Sequence, residues 1–317
     1  MRVFESLEEI PADFGRTVVS VGNYDGIHLA HQRLIRTICA RAKVLDASSL
    51  LVIFDPHPAR ILHPHGGPPL ITPIARKLEL LAEYGLDAVA VLPFTRDLSM
   101  MPAFEFAEEI LFSKLHAIEV HEGFNFRFGH KAEGNIERLT EFGNKLGFTV
   151  VTHTPILWGE LVISSSNVRA EVLGGNVETA RHLLGRPFSI DSFPGRGRGY
   201  GAKYTVPTVN LARYDELTPA IGVYVTEMRI NGEEFQSVTN VGNRPTFGAE
   251  SFAIESYILN FHPIDLSSYI PIRLTFLHRL REEKKFPTTE ALKEQIGRDV
   301  ARAQRYFRLR DDLRGKV

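Results

Sequence analysis

A single cysteine, Cys39, in 317 residues excludes an intrachain disulfide and leaves no thiolate partners for a structural metal. A reducing cytoplasm is the expected setting. No apolar run approaches the ~20 residues that span a bilayer. Residues 1–9 carry neither a basic nor an apolar leader pattern, so neither a signal nor a membrane partner is expected. An excess of one charge is also missing. With 37 Lys and Arg against 38 Asp and Glu, the formal net charge is −1. No global basic field exists to neutralise a nucleic-acid backbone, and nucleic acid is not an expected partner. What is present, 44% hydrophobic and 24% charged residues, is the composition of a globular chain long enough for two cores.

The pattern divides the chain. From residue 17 to about 155, short β-branched segments (17–21, 49–54, 88–92, 118–121 and 148–152) alternate with helical spacings at 74–84, 103–115 and 136–146. Such alternation predicts βαβ units and a doubly wound parallel sheet with its site at the strand carboxyl ends. A helical stretch at 165–184, interrupted by Gly174-Gly175, ends at Gly185-Arg186-Pro187, where the domain boundary is placed. Beyond it, strands at 223–230 and 235–241 flank Asn231-Gly232, a pair suited to a hairpin turn with positive φ at both positions. Further strands at 253–259 and 270–276 predict a small antiparallel β-barrel, and 288–310 reads as a charged helix capped by Thr288 or Thr289.

The first strand runs into Gly22-Asn23-Tyr24-Asp25-Gly26-Ile27-His28-Leu29-Ala30-His31 and then a helix. A helix N-terminus presents unpaired N–H groups and the positive end of its dipole, so anionic phosphate binds there, and two imidazoles add donors at the same place. Taken alone, the two histidines are also consistent with ordinary helix-start residues, and Asp25 with a capping residue. Three-residue spacing without a third ligand does not make a structural zinc site. Cys39 falls on the apolar side of the first helix and reads as a core residue, as do Phe124 and Phe128.

The element resembles the GxFDGxHxGH motif of the prokaryotic bifunctional riboflavin kinase and FAD synthetase family. The match continues through Phe54-Asp55-Pro56-His57-Pro58, Lys77-Leu78-Glu79-Leu80-Leu81, residues 123–129 (Gly-Phe-Asn-Phe-Arg-Phe-Gly) and Ile163-Ser164-Ser165-Ser166-Asn167-Val168-Arg169. The resemblance implies a Rossmann-like nucleotidyltransferase domain over 1–185. In it His28 and His31 are catalytic, contacting ATP phosphates, while Gly22, Tyr24, Asp25 and Gly26 form the cradle. Asn125 and Arg127 lie in a flavin- or nucleotide-facing loop, and Ser164, Ser165 and Arg169 sit on pyrophosphate. The chain departs from the family at Ala30 (usually Gly), Tyr24 (usually Phe) and Asn125 (usually Asp).

In the second half, residues 199–211, with Pro207-Thr208-Val209-Asn210 standing for the family's PTAN, resemble the riboflavin kinase signature, with Thr205-Val206 where the family shows Gly-Phe. Residues 240–248, Glu255 and His278-Arg279-Leu280-Arg281 extend it. The resemblance implies a riboflavin kinase barrel over 186–317. There Glu255 is the base, Thr208 and Asn210 are oxygen ligands for Mg2+ and phosphate, Gly199 and Gly201 belong to a nucleotide flap, and Arg281 contributes to the site. The expected activities are phosphorylation of riboflavin to FMN and adenylation of FMN to FAD, each with ATP and Mg2+, in a monomer or weak homo-oligomer. The alternatives are a kinase with a weakened adenylyltransferase domain and a non-catalytic flavin- or nucleotide-binding regulator.

Overall fold

The computed structural model describes residues 1–63, 65–195, 208–246, 249–259 and 270–314. It divides into two compact units, Met1–Ser165 and Ser166–Val317.

In the first unit, β1 (Arg2–Phe4), β2 (Thr17–Val21), β3 (Ser48–Asp55), β4 (Ala88–Pro93), β5 (Ala117–Gly123) and β6 (Thr149–His153) form one parallel sheet in the order β1-β4-β3-β2-β5-β6. Side chains alternate across each strand, so each face acquires its own core. Val18, Leu51, Ile53 and Val89 pack under α1 (Leu29–Val44) and α3 (Ile74–Ala82). Val19, Val21, Leu50 and Val52 pack on the opposite face with Leu139 and Phe142 of α6 (Ile136–Leu146) and with the segment after α5 (Ala103–Glu105). That is the doubly wound sheet expected from the alternation. The helix expected over 103–115 widens into a π-helical stretch at Phe106–Lys114, where the Leu115 N–H reaches back to the Ile110 carbonyl at 2.9 Å. Strand β2 has β3 on one side and β5 on the other, so the order reverses between β2 and β5 and a crevice is expected at their carboxyl ends.

Short elements escape the periodicity: α2 (Pro58–Leu62), α4 (Arg96–Met100) and a hairpin of β7 (Leu157–Trp158) and β8 (Leu161–Val162). Phe128 is buried, but Phe124 is 54% exposed, so only one of these two aromatics belongs to the core. Phe124 stands just past the end of β5, in the turn where Phe126 N–H closes on the Gly123 carbonyl; its own N–H still bonds the His153 carbonyl at the end of β6, while its ring is exposed.

The second unit starts with α7 (Ser165–Leu173, its first residue assigned to the other unit) and α8 (Val177–Leu184), parted at Gly174-Gly175 as the glycine pair predicts. Strands β9 (Phe188–Ser192), β10 (Thr208–Asn210), β11 (Gly222–Ile230), β12 (Glu233–Thr246), β13 (Ala249–Ile258) and β14 (Ile272–Arg281) pair antiparallel in the order β10-β13-β12-β11-β14-β9. The two end strands then meet. Gly195 N–H donates to the Asn210 carbonyl at 2.7 Å and Ala212 N–H to the Phe193 carbonyl at 2.8 Å, drawing the sheet toward a closed barrel. Asn231 (φ 52°) and Gly232 (φ 85°) make the β11–β12 turn left-handed at both positions, as the hairpin requires. The last helix, α9 (Thr289–Arg314), is capped by the Thr288 hydroxyl, which accepts from Ala291 N–H, and it buries Ala303 and Phe307 against Val223 and Val225.

Candidate functional sites

At the end of β2 the chain turns sharply into α1. Tyr24 (φ 48°), Gly26 (φ 85°) and Ile27 (φ 39°) are all left-handed, a concentration of backbone strain that marks a built turn. His28 is the N-cap of α1, and its Nδ1 accepts from His31 N–H at 3.3 Å. Since Nδ1 accepts, the neutral ring carries its proton on Nε2 and offers a donor there. The His31 ring stacks on His28 with centroids 3.6 Å apart and planes at 17°. The structure thus places the two histidines together at a helix N-terminus.

Asp25 has a different part. Its carboxylate is buried and accepts from the N–H groups of Ile71 and Thr72 at 3.0 Å, pinning the segment ahead of α3 to the turn. Beneath it Lys77, also buried, donates to the Asn23 carbonyl at 2.7 Å. Burial lowers the Lys77 pKa while the carboxylates of Asp25 and Asp55 oppose the shift. Lys77 was legible only as part of a helical motif; its signal is a lysine at a core-facing position of an amphipathic helix. Ser165 completes the turn from the far end of the unit, its hydroxyl donating to the Asp25 carbonyl oxygen at 2.8 Å, with Ser164 beside it in sequence. Arg169 lies further along α7, in the second unit.

Beside the turn a cavity of about 660 Å³ opens at the β2–β5 crevice. Its walls include Gly22, Asn23, Asn125 and Arg127, and aromatic faces come from Phe54 and Phe94 (centroids 5.4 Å apart) and from Phe126 and Phe128 (5.3 Å, stacked). Arg96 and Lys131 supply further positive charge. The Asn23 side-chain oxygen is buried here without a protein donor, and a buried acceptor of that kind calls for a ligand or water. A volume of this size with aromatic walls and a few polar groups suits an organic ligand.

The second unit has its own cavity, about 370 Å³, lined by Thr208, Asn240, Glu255, Tyr257, Arg281 and Phe286 among others. Glu255 on β13 stands opposite Asn210 on β10 and Asn240 on β12, while Thr208 faces Tyr257. Strand alternation therefore puts Glu255 and Tyr257 on the cavity side and buries Ile254 and Ser256. Thr208 and Asn210, two apart on β10, share one face, and their neutral oxygens with the neighbouring Glu255 carboxylate are the hard donors that Mg2+ prefers. Arg281 is held in a forked pair with buried Asp299 (Nε and an amino nitrogen to Oδ2 at 3.0 and 2.8 Å) and lies over the Phe286 ring, so its guanidinium forms part of the wall. Asp299, braced by the Gln295 side-chain amide at 3.0 Å, was not singled out from sequence, where it reads as one of many charges on a long helix. Gly199, Gly201 and Thr205 lie outside the described residues. Cys39 packs against the core under α1, and burial raises its thiol pKa, the condition of an inert side chain.

An FAD synthetase family model matches residues 10–167, and a riboflavin kinase family model matches residues 184–307. The bifunctional riboflavin kinase/FMN adenylyltransferase of Pseudomonas fluorescens is 32% identical over 96% of this chain and 97% of its own. That of Buchnera aphidicola from Acyrthosiphon pisum is 31% identical over 98% and 99%, and that of Escherichia coli K12 is 29% identical over 98% of each. A crystal structure of a macrolide-efflux protein from Streptococcus pneumoniae superposes with a TM-score of 0.84 at 26% identity, covering 95% of this chain and 98% of that one. Among the described residues of the present chain, no helix is long and apolar enough to cross a membrane.

Proposed function

The chain belongs to the bifunctional riboflavin kinase/FMN adenylyltransferase family, and from that membership we propose how its residues divide two reactions. The N-terminal unit adenylates FMN: an oxygen of the FMN phosphate attacks the α-phosphorus of ATP, the bond to the β-phosphate bridge breaks, and FAD and pyrophosphate result. No covalent nucleophile on the protein is needed, so the work is positioning and neutralisation of charge. His28 and His31, with the amides around Gly26 at the α1 N-terminus, meet the ATP phosphates, and Ser164 and Ser165 meet pyrophosphate. Arg169 is assigned to pyrophosphate on the motif alone. The flavin ring enters the aromatic cavity, the orphaned Asn23 oxygen accepting a hydrogen bond and Arg127 facing the FMN phosphate.

The C-terminal unit phosphorylates riboflavin. Glu255 accepts the proton of the ribityl 5′-hydroxyl as its oxygen attacks the γ-phosphorus, and ADP departs. Thr208 and Asn210 would hold Mg2+, which would supply neutralisation of the charge developing on the phosphates. Arg281, fixed by Asp299, shapes the flavin-side wall. We place the functional boundary at 185/186, after the glycine that ends α8; the riboflavin kinase match, which starts at residue 184, lies close to it. A cytoplasmic enzyme, monomeric or weakly associating, is the setting this reading supports.

The observation that carries it is the pairing of each family match with its own built cavity, one beside stacked histidines at a helix N-terminus and one beside a strand carboxylate. Chromatography of riboflavin, ATP and Mg2+ incubated with the protein tests it. Glu255→Ala stops FMN formation and spares FAD formation from supplied FMN, and His28→Ala does the reverse. Loss of both activities in either variant, with the fold intact, contradicts the division.

A further inference from the structure

Glu122 is a buried carboxyl group that neither reaction uses. It sits on β5, next to the crevice where the strand order reverses, and is 3% exposed. The backbone ladder between β2 and β5 runs only from Thr17 to Val19 on the β2 side. Beyond it the Glu122 side chain takes over as acceptor, its Oε1 receiving the Val21 N–H at 2.7 Å and facing the Ser20 hydroxyl at 3.4 Å. Ser20 in turn accepts from the Tyr24 hydroxyl. All three side chains are buried, so each polar atom depends on the next.

The far end of this relay is the phosphate-binding turn. The Tyr24 ring lies 4.9 Å from the His31 ring, tilted by 49°, and His31 stacks on His28. Tyr24 also lies under Gly22, where a Cβ would come within 3.3 Å of its ring, so the ring fills the space inside the turn. A hydrogen bond through Ser20 to Glu122 fixes one edge of the ring; without it the ring keeps its packing in the core under α1 and against Gly22 and His31 but loses the polar contact that sets its orientation.

We propose that Glu122, acting through Ser20 and Tyr24, is a positioning residue for adenylyl transfer: it holds Tyr24 against His31 so that the histidine pair meets the ATP phosphates in one orientation. The proposal rests on the assignment of His28 and His31 to those phosphates. Burial pushes the Glu122 carboxyl well above the ordinary carboxylate range, toward the neutral form, and glutamine keeps the acceptor oxygen that Val21 N–H and Ser20 use. Burial likewise keeps the Tyr24 phenol protonated as the donor of the relay.

The test measures kcat and KM for ATP in FAD formation from supplied FMN, with riboflavin kinase turnover by the same molecules as the internal standard. Tyr24→Phe removes one hydroxyl and leaves the packing, so it folds and serves where Glu122→Val does not. Loss of one buried hydrogen bond predicts a fall of roughly tenfold in kcat/KM for ATP in Tyr24→Phe and at least as much in Glu122→Val. KM for FMN and kinase turnover should stay within about twofold, and Glu122→Gln should restore most of the loss. Unchanged ATP kinetics in Tyr24→Phe, or Glu122→Gln as impaired as Glu122→Val, overturns the proposal. His28→Ala separates the two levels: if it leaves FAD formation intact, the phosphate assignment itself is wrong; if it abolishes FAD formation while Tyr24→Phe does nothing, only the relay fails.

Discussion

Replacing Asp25 by alanine distinguishes a ligand-binding carboxylate from a structural one. In the fold the side chain is 1% exposed and its oxygens are taken by the N–H groups of Ile71 and Thr72, themselves in buried residues. Alanine leaves two buried donors unpaired at about 1–3 kcal/mol each, together about 2–6 kcal/mol. Removing the carboxylate also deprives buried Lys77 of a countercharge, which acts in the same direction. For a unit of this size each kcal/mol moves the midpoint by about 2–4 °C, so the melting temperature should fall by roughly 5–20 °C. Asp25→Asn keeps one oxygen able to accept both N–H groups and should sit at the low end. Thermal unfolding followed by near-UV circular dichroism, with FAD-forming and kinase activities assayed beside it, reads the effect. An Asp25→Ala protein that melts within about 1 °C of the parent but no longer forms FAD would refute the structural assignment and make the carboxylate a substrate contact.

Other perturbations follow from the same geometry. Gly129→Ala places a Cβ 2.6 Å from the Ala103 backbone at a residue with φ +75°, and should destabilise the first unit by several kcal/mol in urea unfolding, on the order of 3 or more. Arg281→Lys breaks the fork to Asp299 and leaves a buried carboxylate poorly paired, costing about 2–4 kcal/mol of unfolding free energy in denaturant titration and raising KM for riboflavin while FAD formation from FMN is spared. Glu119 is held below its ordinary pKa by the Arg41 guanidinium and by His121, so it adds stability that is full above about pH 4.3 and is lost as pH falls through the lowered value. Burial lowers the pKa of His121, so its protonation is a further cost of folding below about pH 6.5. Arg41→Ala should therefore flatten the acid limb of a stability-versus-pH curve, and an unchanged limb would contradict the pairing.

Much of this was legible before the fold because the signals were local. The alternation of β-branched runs and helical spacing located the strands of the parallel sheet, and Asn231-Gly232 located the hairpin because positive φ at two consecutive positions is a local demand. The turn from Gly22 to His31 was readable for the same reason. What escaped depends on partners far away in sequence. β1 is three residues with one buried side chain and becomes a strand only by pairing with β4. Phe124 looked like its neighbour Phe128, and only the end of β5 separates an exposed ring from a buried one. Glu122, Lys77 and Asp299 are unremarkable charges in sequence; their roles come from Val21, Asn23 and Arg281, which tertiary structure brings to them.

The central claim is that one chain performs two ATP-dependent transfers in separate units, and the fate of the ATP phosphorus atoms tests it most directly. Riboflavin is incubated with the full-length protein, Mg2+ and ATP labelled in either the γ- or the α-phosphate, and the FAD formed is isolated and cleaved at its pyrophosphate bond. The expected result is γ-label in the flavin-side phosphate and α-label in the adenosine-side phosphate; Glu255→Ala forms neither FMN nor FAD from riboflavin but incorporates α-label when unlabelled FMN is supplied, and His28→Ala stops at γ-labelled FMN. FAD formed without γ-label in the flavin half, or FMN labelled by a Glu255→Ala protein as fast as by the parent, would contradict it.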